Sequence, residues 1–172
     1  MTANTAAKSD TTKSSDLRQV LTFTLGAESY GVDILRVQEI RGWAPVTRIP
    51  QAPMHVLGVL NLRGSIVPII DLRMRFHLER AEYTALTVII VMSVESAAGR
   101  RDIGMVVDGV SDVIDVDNSK VKPAPDLGSQ GTTDFIRGLA PLGDNMVMLL
   151  DMDKLVGGDI SANAVIPDAA AA

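Results

Sequence analysis

Two ordered blocks of this chain occur twice, and that repetition constrains the fold more than any other feature. Gly31-Val32-Asp33-Ile34-Leu35-Arg36-Val37-Gln38-Glu39-Ile40 and Gly104-Met105-Val106-Val107-Asp108-Gly109-Val110-Ser111-Asp112-Val113 share one pattern: glycine, apolar, any, apolar, any, any, valine, any, acid, apolar. An Arg-Gly pair follows in each half, Arg63-Gly64 and Arg137-Gly138. Behind it comes an apolar run closed by an acid, Val67-Pro68-Ile69-Ile70-Asp71-Leu72 in one half and Val147-Met148-Leu149-Leu150-Asp151-Met152 in the other. The repeats predict two similar small β-barrels of about 65–70 residues each, too short to hold a sufficient core alone. They are therefore expected to pack around a shared apolar seam, and such a seam is a natural groove for a partner.

The local pattern agrees with a mainly all-β chain. Val20, Thr22 and Thr24 alternate with Leu21, Phe23 and Leu25, and after a turn at Gly26–Ser29 the alternation resumes at Tyr30, Val32 and Ile34. That period of two predicts a β-hairpin. From Ile34 to Ile40 the phase slips without a clear N-cap signal, which predicts a long strand carrying a bulge. Pro53 to Leu57 reads as a short helical turn. Gly64 gives backbone freedom at a corner, and the β-branched run Ile66–Ile70 reads as a strand. Pro68, lacking an N–H, places that strand at a sheet edge or a bulge. The polar run Arg73–Tyr83 reads as a short helix and connector. Strands are expected at Leu86–Met92, Asp102–Asp108, Val110–Val116, Phe135–Leu139 and Met146–Leu150. Ser93–Arg101 reads as a loop and Pro123–Thr133 as a turn-rich connection. A short helix at Met152–Val156 is expected to end at Gly157-Gly158. Residues 1–16 and 158–172 read as tails. The folded part is then 17–157, with a first barrel at about 17–83, a second at about 84–157, and strand exchange between them allowed.

Chemistry finds little footing. His55 and His77 lack metal-ligand spacing, and no Gly-x-Ser-x-Gly elbow, Gly-x-Gly-x-x-Gly or Walker-type loop is present. Asp112, Asp115 and Asp117 cluster, but an EF-hand counted from Asp112 would have Asp117 where its glycine belongs and Pro123 where its glutamate belongs. The chain has no cysteine, which excludes disulfides and thiolate metal sites and fits a reducing compartment. No catalytic residue, metal or cofactor is predicted. A net charge of −5 and an aromatic content of 3% argue against nucleic acid, which needs cationic steering and stacking faces. Met1–Ser15 lacks the apolar core of a secretory signal, and no apolar run approaches the roughly 20 residues that span a bilayer. A cytoplasmic protein is expected. Arg63 is the residue that stands out, because a cation beside a glycine corner is preorganised. It reads either as a structural salt bridge to Glu39 or Asp71, or as an anchor for a protein partner.

Several blocks together resemble one family. Phe23-Thr24-Leu25-Gly26, Tyr30 to Gly42, Val46-Thr47-Arg48-Ile49-Pro50, Gly58 to Gly64, Ile66 to Arg73, Val106 to Val113 and Lys122 to Pro125 occur in the order seen in CheW chemotaxis adaptors. The resemblance covers about residues 17–157. It implies two pseudo-symmetric SH3-like five-stranded β-barrel subdomains with a few short helices. It also implies a function without catalysis: a scaffold coupling the histidine kinase CheA, through its regulatory domain, to the cytoplasmic tip of transmembrane chemoreceptors. Membrane association would then come only through receptors, at arrays on the inner face of the membrane. The receptor-facing candidates it implies are Val37, Glu39, Gly58, Arg63, Val88 and Val113, with Gly64 and Gly138 as structural corners. For the valines, plain core packing is an equal reading. The same fold also serves as a regulatory or adaptor module of related two-component proteins, and a β-barrel module for peptide or nucleic acid is the remaining alternative.

Overall fold

The computed structural model of the chain describes residues 17–78, 82–96, 99–124 and 135–161. In order these form β1 (Leu17–Leu25), β2 (Glu28–Asp33), a one-turn 3-10 helix (Ile34–Arg36), β3 (Val37–Gly42), β4 (Val56–Leu62), β5 (Ser65–Asp71) and α1 (Leu72–Arg75). Then follow β6 (Val88–Ser96), β7 (Gly99–Val107), β8 (Gly109–Asp117), a second one-turn 3-10 helix (Asn118–Lys120), β9 (Ile136–Leu142), β10 (Asn145–Leu150) and α2 (Met152–Ser161). The protein is mainly β, with two five-stranded sheets ordered β8-β1-β2-β10-β9 and β3-β6-β7-β5-β4.

Exchanging β8, β1, β2, β10 and β9 for β3, β6, β7, β5 and β4 reproduces the same strand order, so the sequence repeat is a structural repeat. Each sheet is antiparallel except for one parallel pair, β10 with β2 and β5 with β7. Gly31 stands opposite Leu149 in the first of these and Gly104 opposite Ile69 in the second. A Cβ on Gly31 would collide with Val20, and one on Gly104 would meet Ile69. The repeated glycine therefore makes room for side chains of neighbouring strands.

The sheets do not divide at residue 83. The hairpin β1–β2 joins β8–β10, and the hairpin β6–β7 joins β3–β5. Each half of the chain has given its first hairpin to the other. The sequence repeat aligns the two halves but carries no signal for which sheet each hairpin joins.

Burial sorts into three clusters that follow this exchange. The largest lies between the sheets and takes Leu21, Phe23, Leu25, Tyr30 and Val32 from one, and Ile70, Ile90, Met92, Val94, Ile103, Met105 and Val107 from the other. Leu72 of α1 and Met152, Leu155 and Val156 of α2 close it. Aromatic rings thread the same seam: Phe23 on Tyr30 at 5.9 Å, Tyr30 on Phe76 at 5.4 Å and Phe76 on Phe135 at 5.0 Å. A smaller cluster belongs to each sheet, one around Val20, Val116, Ala140, Val147 and Leu149, the other around Val67, Ile69, Ile89, Val91 and Val106. At about 1.5–3 kcal/mol per buried aliphatic or aromatic side chain, the seam is the largest apolar contribution holding the halves together.

Several local expectations are corrected. Ile34–Arg36 is a 3-10 turn rather than a bulged strand, because the Asp33 carboxylate accepts the Leu35 N–H at 2.9 Å and caps it. The irregularity falls later, between Val37 and Glu39. Of the expected loop Ser93–Arg101, Ser93–Ser96 and Gly99–Arg101 continue the β6–β7 ladder, with Ser93 opposite Asp102 and Ser96 opposite Gly99, and residues 97 and 98 lie outside the described residues. Pro53–Leu57 is a turn closed by the Val56 N–H on the Pro53 carbonyl, 2.9 Å. Pro68 sits in an inner strand. Val59, its partner in β4, turns both backbone groups to Thr47, and the ladder to β7 starts only at Ile69. The missing N–H of Pro68 thus costs no ladder bond to β4. Finally, α2 runs through Gly157 and Gly158 to Ser161. The segments 1–16 and 162–172, read as tails, and most of the Pro123–Thr133 connection lie outside the described residues.

Candidate protein-binding site

Five of the six expected site residues fall on the sheet β3-β6-β7-β5-β4. Val37 and Glu39 alternate along the half-buried face of β3. Gly58 lies in β4, Val88 opens β6 opposite Gly42, and Arg63 occupies the turn between β4 and β5. Val113 is on the other sheet, in β8 opposite Leu21, and is 47% exposed. It occupies the repeat position of Ile40, which is 46% exposed.

The corner itself is strained and exposed. Arg63 has φ 55° and Gly64 φ 88°, both in the left-handed region that favours glycine. Asn61 holds the turn by accepting the Gly64 N–H at 2.9 Å. Arg63 projects with 90% of its side chain exposed, and its guanidinium meets the Glu39 carboxylate at 3.4 Å. Asp71, the other partner expected for Arg63, is 1% exposed and is engaged elsewhere. Arg41, which sequence reading did not single out, reaches the other Glu39 oxygen at 3.6 Å. Its position two residues along the strand, on the same face, was the available signal. Glu39 thus sits between two arginines, one rooted in its own strand and one brought by the turn.

Gly58 has a different role from a contact residue. Its φ is +151°, and a Cβ there would run into the carbonyl oxygen of Thr47. That carbonyl accepts the Val59 N–H at 2.8 Å while the Thr47 N–H donates to Val59 at 3.0 Å. The bridge ties the chain leaving β3 to the edge strand β4, and so places Glu39 against the Arg63 turn. Gly138 is its counterpart and is not a corner. It lies inside β9 opposite Leu149, as Gly58 lies opposite Ile69, and its missing Cβ leaves room for Val121 and the Lys122 carbonyl. The turn equivalent to Arg63-Gly64 is Gly143-Asp144, so the second half carries no matching arginine.

Val37 and Val88 pack at the margin of the inter-sheet seam. Behind the site, Asp71 accepts from Arg73 at 3.2 Å and from the Tyr83 hydroxyl at 3.0 Å, while Arg73 also reaches Asp108 at 3.1 Å. Asp108 in turn accepts the Gly26 N–H of the other sheet at 2.7 Å. Burial lowers the Arg73 pKa, but the hydrogen bond and charge of Asp71, with Asp108, outweigh it and hold the guanidinium above its ordinary value. These contacts form an inward-facing frame that joins the two sheets.

Among the described residues no group of three or more His, Cys, Asp or Glu is placed to hold a metal ion. Asp117 of the acidic cluster accepts from the Ser119 N–H at 2.9 Å and its hydroxyl at 2.6 Å, which holds its carboxyl below the ordinary value. It is a helix cap. No helix among the described residues is long and apolar enough to cross a membrane.

The family model for the CheW-like domain matches residues 19–159. The chain belongs to the CheW-like family. It is 46% identical over 142 residues to a chemotaxis protein CheW of Klebsiella aerogenes, covering 83% of each chain. To a CheW of Rhizobium meliloti it is 40% identical over 138 residues, covering 80% of this chain and 86% of the relative. Among solved structures it resembles the scaffolding protein TtCheW from Thermoanaerobacter tengcongensis, with a TM-score of 0.71, 32% identity, and coverage of 80% of this chain and 86% of that one. Both relatives are named chemotaxis proteins, and the solved structure is described as a scaffolding protein.

Proposed function

We propose that the protein is a non-enzymatic adaptor that couples the histidine kinase CheA to the cytoplasmic tips of chemoreceptors. Membership of the CheW-like family supports the reading, and the observation that carries it to a place on the molecule is Arg63. An arginine held in a left-handed turn, 90% exposed and only lightly tethered by Glu39, spends little of its charge on the fold. Exposed pairs of this kind contribute about 0–1 kcal/mol to stability, so its cost in backbone strain makes sense as a binding anchor. In this reading Val37 and Val88 offer apolar contacts at the seam margin, Glu39 orients Arg63, Gly58 shapes the edge, and Val113 adds a contact from the other sheet. The kinase regulatory domain binds elsewhere on the sheets, and the protein reaches the inner face of the membrane through receptors.

Reversing the charge tests it. Arg63→Glu places two carboxylates side by side and removes the anchor, and a lost hot spot costs about 2 kcal/mol or more of binding. Receptor-tip affinity should fall roughly 30-fold or more, while kinase binding is unchanged and the melting temperature moves by no more than about 4 °C. A folded Arg63→Glu protein that pulls down receptor tips as well as wild type refutes the assignment.

A further inference from the structure

The chain has only six aromatic residues, and four of them line the seam. The other two, Trp43 and Tyr83, stack face to face at 4.0 Å with 6° between their planes. They form one wall of a cavity of about 280 Å³ whose other walls are Pro45, Val46, Leu57 and Arg48. Its floor is the core of the sheet β3-β6-β7-β5-β4, against which Trp43, Val46, Leu57 and Tyr83 pack. The aromatic wall is fixed from behind, because the Tyr83 hydroxyl donates to buried Asp71 and the Arg73 guanidinium lies 5.1 Å from the Tyr83 ring. The backbone of Trp43 is anchored too, its main-chain N–H donating to the Thr87 carbonyl at 3.1 Å.

The second half differs at this place. Leu57, beside the bridging Gly58, is replaced in the second half by Arg137, beside Gly138. The rim carries a charge signal as well. Arg48 is exposed and makes no ion pair with any described residue. Between Ile34 and Gly64 the chain holds Arg36, Arg41, Arg48 and Arg63 but only one acid, Glu39. Of these, Arg36 pairs with Asp153, and Arg41 and Arg63 share Glu39, so Arg48 is the cation that the cavity rim itself offers.

We infer that this cavity is a docking site for a short acidic peptide segment of a protein partner, with one aliphatic side chain seated on the Trp43–Tyr83 wall and an adjacent carboxylate on Arg48. A rigid aromatic wall loses little entropy on binding, and arginine pairs with carboxylates in a defined geometry. The cation selects the acidic segment and steers it. None of the six lining residues is among the receptor-facing set around Arg63, so the inference stands or falls separately from the kinase–receptor reading.

Trp43 is the only tryptophan, so its emission reports occupancy directly. The probe is a blocked peptide of alternating glutamate and leucine, titrated into the full chain. A saturable change in Trp43 emission is expected. The affinity should fall at least tenfold, about 1.4 kcal/mol, when serine replaces leucine in the peptide, and equally for the protein variant Arg48→Glu, whereas Arg48→Lys retains most of the binding. A lysine–leucine peptide should give no saturable change. Arg48 is exposed, so both variants are expected to fold, and far-UV circular dichroism checks this. Absence of any saturable response, an equal response to the lysine peptide, or unaltered affinity in a folded Arg48→Glu protein each overturns the inference.

Discussion

Gly58→Ala separates architecture from contact at the candidate site. Gly58 was expected to face a receptor, yet its backbone conformation and its neighbours give it a structural task. A Cβ at φ +151° meets the Thr47 carbonyl oxygen and, at 3.1 Å, the Arg48 Cα. Relief requires the Thr47 segment to move, which breaks the two backbone bonds between Thr47 and Val59, 2.8 and 3.0 Å. Each such bond is worth about 0.5–1.5 kcal/mol net. Holding alanine in a conformation reserved for glycine adds about 1–3 kcal/mol. The total, about 2–6 kcal/mol, is a large share of the roughly 5–15 kcal/mol by which a domain is stable. Thermal unfolding followed by circular dichroism should show a melting temperature lower by roughly 5–20 °C. Gly64→Ala is the control. Its φ is +88° but nothing lies within 4 Å of the added Cβ, so only the strain applies and the loss should be clearly smaller. A Gly58→Ala protein that melts within about 2 °C of wild type while failing to bind receptor would refute the reasoning, because Gly58 would then act by contact.

Other consequences follow from the same geometry. Arg73→Met leaves Asp71, 1% exposed, without its counter-charge, and should cost about 3–5 kcal/mol in chemical denaturation; a loss under 1 kcal/mol would mean that water or another cation takes its place. Asp33→Ala removes the cap of the turn that redirects the first hairpin into the other sheet, and about 0.5–2 kcal/mol of stability should go with it. Burial, and secondarily the charge of Glu28, raises Tyr30 above its ordinary pKa of 10.0. The folded state therefore holds that proton longer than the unfolded one. Stability from this group is intact below about pH 10 and is lost as pH rises through the higher folded value. Tyrosinate absorbance during alkaline titration should show a late component that appears together with unfolding and is lost in Tyr30→Phe; a titration curve unchanged by Tyr30→Phe would contradict it.

The repeat, the β content and the corner at Arg63 were legible because each rests on local chemistry: alternation, β-branching, and a glycine beside a charge. Gly31 and Gly104 align in sequence and coincide in the fold because both must yield to a neighbouring strand's side chain. What the sequence hid are facts of partnership. The exchange of hairpins leaves no mark, since the repeat aligns β2 with β7 without saying which sheet either joins. Arg63-Gly64 and Arg137-Gly138 look alike as letters, yet one is a turn and the other a point of close approach within β9. The capping role of Asp33 was masked by the β-branched residues around it, and Glu95, Ser96, Gly99 and Arg100 read as loop because the outer end of a hairpin tolerates polar residues on both faces. Of the site, Glu39 and Arg63 were readable as a pair, while Arg41 was visible only through strand periodicity and the Trp43–Tyr83 wall only through tertiary contact.

The coupling role is tested most directly by co-sedimentation. Vesicles carrying chemoreceptor, the kinase CheA and this protein are mixed, pelleted, and the kinase in the pellet is measured with and without this protein. The account predicts that wild-type protein carries additional kinase into the pellet, and that a folded Arg63→Glu protein does not while still binding kinase in solution. Kinase sedimentation that is indifferent to the protein, with the protein itself left in the supernatant, would contradict it.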